Sequence, residues 1–149
     1  MKNALSLWIV LILVLTAIPV YAQSTLALQE KCAEGAKTFF FERINSYGGK
    51  WGLYRDESGL GSNNFESHYN KKLDKCFIRI ENVYSSKKDD DPIYYSIELF
   101  DVFEGKQYGC FWREQYRNFN WPVTRCEVGT KQCTNEQEFK NLIRLYMEE

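Results

Sequence analysis

Histidine is nearly absent: His68 is the one imidazole in 149 residues. That excludes a two-histidine mechanism and leaves any imidazole chemistry to a single side chain. Close cysteine pairs are missing too. The five cysteines, at positions 32, 76, 110, 126 and 133, include no C-x-x-C spacing, so no zinc cluster is encoded. Neither sign of charge dominates. Nineteen basic residues stand against 20 acidic ones and are interspersed with them, which removes the basic footprint that a nucleic-acid partner needs. Gly-rich phosphate loops, G-x-S-x-G elbows and H-E-x-x-H helices are also missing.

What is present begins with an export signal. Lys2 supplies a positive start, Leu5 to Ile18 an apolar run, Pro19 a helix breaker, and Val20 with Ala22 the small residues of a cleavage site. Cleavage between Ala22 and Gln23 is expected. The apolar run is short beside the roughly 20 residues of a spanning helix, so no stable membrane span is expected after cleavage. Residues 1–22 are thus read as a signal peptide and 23–149 as a single domain, secreted or periplasmic. An oxidising compartment turns the cysteines toward disulfides.

The fold class expected is α+β, an antiparallel meander of four to five strands packed against an N-terminal and a C-terminal helix. Leu28, Cys32, Ala36, Phe39 and Phe40 form a helical stripe between Gln23 and about Arg43. The glycine-rich stretch from Asn45 to Gly61 reads as a loop, with a short strand around Trp51 to Tyr54. Phe65–Asn70 and Lys75–Ile80 read as a hairpin across Lys71–Asp74. Its register places Phe65 with Ile80, Ser67 with Ile78 and Tyr69 with Cys76 on one face, and Glu66 with Arg79 and His68 with Phe77 on the other.

Further strands follow at Ile93–Phe103, with Ile93, Tyr95, Ile97, Leu99 and Phe103 on one face, at Gln107–Arg113, and at Val123–Val128. Ser85–Pro92, Glu104–Lys106 and Gly129–Gln132 read as turns, and Asn118–Pro122 as an irregular or edge segment. Thr134 and Gln137 match a capping box ahead of Phe139, Leu142, Ile143 and Tyr146, an amphipathic helix.

The cysteine count alone leaves many pairings open, and these elements narrow them. A helix stripe over the hairpin brings Cys32 to Cys76, while Cys126 and Cys133 flank one turn. Cys110 remains as a free thiol, alternating with Tyr108 and Trp112 in the manner of a small buried hydrophobe.

No catalytic residue, cofactor or metal ligand emerges. His68 near Glu66 could serve as a general base or a metal ligand, but packing over Phe77 on a strand is the favoured reading, since no nucleophile motif or second metal ligand accompanies it. Asp89, Asp90 and Asp91 lack the alternation of a calcium loop. The candidate binding residues are Trp51, Tyr54, His68 and Trp121, aromatic or polar groups in loops and at the hairpin.

The segment His68-Tyr69-Asn70-Lys71-Lys72-Leu73-Asp74-Lys75-Cys76-Phe77 resembles a signature of small exported bacterial proteins that carries no known activity. Lys31 and Cys32 with Ala36 and Phe39 upstream, Asp101–Gly105, and Cys133 ahead of Phe139 and Tyr146 resemble it too. The resemblance implies that the hairpin and its cysteine form a structural centre. The function expected is a non-catalytic binding or envelope-associated domain whose partner is a protein or glycan of the cell envelope. A small extracytoplasmic hydrolase or hydrolase inhibitor is the alternative.

Overall fold

The structure, a computed structural model, describes residues 25–44, 59–86, 92–115 and 122–148. The segment read as a signal peptide, the strand expected near Trp51, the 87–91 turn and Trp121 lie outside them. The chain divides into Met1–Lys31 and Cys32–Glu149. In the first unit, residues 25–31 are helical, and Leu26 and Leu28 are exposed. Leu28 therefore does not join the buried stripe expected of it.

The second unit holds the rest of that helix, α1 (residues 25–44 in all), followed by β1 (Gly59–Asn70), β2 (Lys75–Ser86), β3 (Ile93–Asp101), β4 (Gln107–Gln115), β5 (Val123–Val128), β6 (Lys131–Gln132) and α2 (Glu136–Met147). The six strands form one antiparallel sheet in sequence order. Four to five were expected. The sixth is a two-residue strand where a plain turn was read, because Gly129, at φ 60°, folds Lys131 back onto Val128.

The β1–β2 register is the one the sequence predicts, Phe65 opposite Ile80 and Tyr69 opposite Cys76. Its turn is fixed locally. The Asn70 side-chain oxygen accepts from the Leu73 amide at 3.0 Å, and Asp74 takes the left-handed conformation at φ 51° that aspartate tolerates better than most residues. Both strands run longer than expected, and β1 begins at Gly59, inside the stretch read as loop.

Strand alternation gives the sheet two faces, and each has a helix over it. On one, Cys76, Ile78, Ile80 and Phe100 pack with Cys32, Ala36 and Phe40 of α1. On the other, Phe77, Ile97, Leu99 and Phe111 pack with Phe139 and Ile143 of α2. With both faces buried, β2 reads Cys-Phe-Ile-Arg-Ile in place of strict apolar and polar alternation. Phe103, expected to share a strand face with Ile97 and Leu99, is instead 59% exposed, because β3 ends at Asp101 and Phe103 falls in the turn. Its ring lies across Gly35 of α1, where a Cβ would approach it to 2.9 Å.

The cap of α2 differs from the expected box. Asn135, not Thr134, is the N-cap, and its side-chain oxygen accepts from the Glu138 amide at 2.9 Å. The Glu138 carboxylate in turn accepts from the Thr134 amide and hydroxyl, which lowers its pKa below the usual range. Cys32 with Cys76, and Cys126 with Cys133, stand at disulfide distance, with Cα separations of 5.4 and 5.0 Å. Among the described residues no helix is long and apolar enough to cross a membrane.

Candidate functional site

The α1 face carries a groove. α1 runs along it from Cys32, over Cys76, to Arg43 and Ile44, level with Ile80 and Glu98. Past that point the same face continues with Asn82 and Tyr84 on β2, Tyr94 and Ser96 on β3, and Trp112 on β4. Register unites them: Asn82 stands opposite Ser96, Tyr84 opposite Tyr94, and Ser96 opposite Trp112. Together with Arg43, Ile44, Ile80 and Glu98 these side chains line a cavity of about 70 Å³. Its walls are chiefly apolar, with half-buried Tyr84, Tyr94 and Trp112 contributing three rings. The Tyr84 and Tyr94 rings lie 6.2 Å apart and tilted by 35°, an aromatic pair in its own right.

The polar end of the groove is already bonded. Glu98 is buried, and its Oε1 accepts from Arg43 Nη2 at 3.3 Å and from Gln107 Nε2 at 3.0 Å. Burial pushes the Glu98 carboxyl above its ordinary pKa, against the pull of Arg43 and Gln107. The Arg43 guanidinium also stacks 4.0 Å over the Phe100 ring, so the pair fastens the end of α1 to β3. Beside it, Asn82 Nδ2 donates to Ser96 Oγ at 3.2 Å, which holds the amide in one orientation. Asn82 Oδ1 is buried and has no hydrogen-bond partner among the described residues.

Cys110 stands opposite Glu98 in the ladder and is buried. Burial raises its thiol to about 11, with Arg125 opposing and Glu127, 3.9 Å away, adding to the rise. Such a thiol is protonated at neutral pH and inert. Its neighbour by alternation is Trp112, as the sequence indicates. Tyr108 is not, because the register shifts between Leu99 and Phe100, and the Tyr108 ring packs on Phe77 and Tyr146 over the α2 face.

The sequence-derived candidates do not converge. Half-buried His68 sits on the outermost described strand opposite Phe77, on the α2 face, with its Nε2 buried and unpartnered among the described residues. The groove and Cys110 lie on the other face, so a Cys110–His68 dyad is sterically excluded. Trp51, Tyr54 and Trp121 lie outside the described residues. Among those described, no group of three or more His, Cys, Asp or Glu side chains is placed to hold a metal ion.

The groove residues Asn82, Tyr84, Tyr94 and Trp112 escape a sequence reading because their strand positions mix polar and aromatic side chains, and Arg43 because it sits at the end of α1. The signal that could have found them is phase. Positions 80, 82 and 84 share parity with the buried Cys76 and Ile78, so they continue the covered face. Comparison with protein-family models, curated proteins and solved structures yields no match.

Proposed function

We propose that this protein is an exported, non-catalytic binding domain whose groove at the end of α1 grips one side chain of a polypeptide partner in the cell envelope. The observation that carries the reading is the groove's size and lining. A volume of about 70 Å³ falls far below the roughly 300 to 1,000 Å³ of small-molecule sites. It suits one anchoring side chain inserted among aromatic rings, the arrangement that concentrates binding energy at protein interfaces. A glycan fits less well. Each sugar ring brings several hydroxyls that mainly apolar walls leave unpaired, and of the lining charges Glu98 is bonded to Arg43 and Arg113 to Glu136. Export and membership of the exported bacterial family belong to the same proposal, supported by the leader composition, the cysteine pairs and the His68–Phe77 segment.

Affinity purification of the protein from envelope extract tests the proposal. A polypeptide should be retained by the wild type and lost with Trp112→Ala, while Lys140→Ala on α2 retains it. Retention unaffected by Trp112→Ala would remove the groove from the account.

A further inference from the structure

Three turns meet at the end of the sheet opposite the groove, and their tips carry lysines and large apolar side chains together. Antiparallel order in sequence puts the β1–β2, β3–β4 and β5–β6 turns at this one end. Neighbouring turns are joined: the Val102 amide donates to the Cys76 carbonyl at 2.8 Å, the Gly129 amide to the Tyr108 carbonyl at 2.8 Å, and Lys75 Nζ bonds both Asp101 and Glu104. Turn residues are ordinarily small or polar, yet Leu73 is 43% and Phe103 59% exposed. Beside them Lys71, Lys72, Lys106 and Lys131 are all exposed. Across the three turns five lysines stand against three carboxylates, in a chain whose net charge is -1, so positive charge is gathered here. The carboxylates are also engaged within the fold. Asp101 is buried and holds Lys75 and the Phe103 and Glu104 amides, Glu104 holds Lys75 as well, and Asp74 accepts from the Tyr69 hydroxyl. Lys72, Lys106 and Lys131 make no ion pair among the described residues.

The form of this surface selects among partners of opposite charge. An acidic polypeptide is held by planar arginine forks and by aromatic anchors set in pockets, and these turns supply neither. A bilayer asks only for point charges at headgroup depth and for apolar tips that pass into the acyl boundary, and its affinity grows with both. We infer that this end of the sheet docks reversibly on an anionic lipid surface, with Leu73 and Phe103 entering the interface and Lys71, Lys72, Lys106 and Lys131 facing the headgroup phosphates. The groove lies at the opposite end and takes no part in the contact.

The test floats the full mature protein, without the apolar leader, on vesicles of phosphatidylcholine alone and of phosphatidylcholine mixed with phosphatidylglycerol. Binding should be about tenfold or more tighter to the anionic vesicles and should weaken by about tenfold or more between roughly 0.05 M and roughly 0.5 M salt. Each lysine at such a surface is worth about fivefold, so Lys72→Glu combined with Lys106→Glu should cost about 25-fold or more. Lys37→Glu combined with Lys140→Glu changes the net charge equally on the two helices and should cost less than about threefold. Leu73→Trp reports insertion directly: its emission should shift to the blue with the anionic vesicles, beyond any shift of the wild type. Binding to neither vesicle, equal binding to both, equal losses in the two charge-reversed pairs, or no blue shift from position 73 each overturns the inference. So does capture of polyglutamate as tight as that of the anionic vesicles, which would assign the lysines to an acidic polypeptide. The lipid and salt comparisons are made on the wild type, so they stand even where a substitution fails to fold. Retention of a polypeptide through Trp112 is read separately, and its failure and the failure of vesicle binding are distinct results.

Discussion

Single side chains show how close the two helices come to the sheet. A Cβ on Gly109 would stand 3.0 Å from the Glu127 carbonyl and 3.3 Å from the Phe139 ring. Backbone cannot swing aside, so Gly109→Ala should destabilise by about 1 to 3 kcal/mol in chemical denaturation. Gly35→Ala meets mainly the far end of the exposed Phe103 ring, which can move, and should stay within about 0.5 kcal/mol of wild type. Equal losses would show that Phe103 is held in place. Glu98 gives a pH signature. Burial raises its folded-state pKa, so the folded state binds the proton more tightly than the unfolded chain does. Its contribution to stability therefore falls as pH rises from the ordinary glutamate value through the raised one. Glu98→Gln has no such titration. Its stability relative to wild type should improve as pH rises from the ordinary glutamate value through the raised one, and a flat or opposite trend contradicts the burial account. Asp101 has the opposite sign. Burial pushes its carboxyl up, but the Lys75 ammonium and the Glu104 and Phe103 amides hold it below its usual range. Its stabilisation is lost as pH falls through that lowered value.

At the level of elements, α2 depends on Asn135. Asn135→Ala should cost about 1 kcal/mol, whereas Gln137→Ala should cost less than about 0.5 kcal/mol, because the Gln137 side chain bonds Asn141 on an exposed face. Thermal unfolding of the two variants decides between the observed cap and the one-residue-earlier box. That off-by-one reading shows where sequence is legible. Periodicity identifies α2, the five longer strands and the hairpin register, because a one-residue slip would turn Cys76 and Ile78 away from α1. It does not identify β6, whose two residues carry no period. It misplaces Tyr108, because a bulge breaks alternation after Leu99. The groove stays hidden for a related reason. Tyr84, Tyr94 and Trp112 look like separate aromatic residues until the β2–β3–β4 register brings them to one end of one face.

Across the whole molecule, the two cysteine pairs fasten different layers. Cys32–Cys76 ties α1 to β2 across 44 residues of sequence, and Cys126–Cys133 closes a loop of separation 7. In the chain-entropy model the first contributes roughly 4 kcal/mol and the second roughly 2.5 kcal/mol. Replacing Cys32 and Cys76 by serine should thus lower stability more than replacing Cys126 and Cys133, and the reverse order contradicts the helix-over-hairpin arrangement. Non-reducing peptide mapping should find both pairs, with Cys110 alkylated only after unfolding, as its buried thiol requires. The groove exists because α1 is fastened at Cys32 by that pair and at Arg43 by Glu98, while β2, β3 and β4 carry three rings past the helix contact. Whether this end of the face meets a polypeptide is tested most directly by Tyr94→p-benzoylphenylalanine photo-crosslinking in exporting cells, with the same photoreactive residue at Lys140 on α2 as the control. The account predicts a discrete polypeptide adduct from position 94 and none from position 140. No adduct from position 94, or equal adducts from both positions, would contradict it.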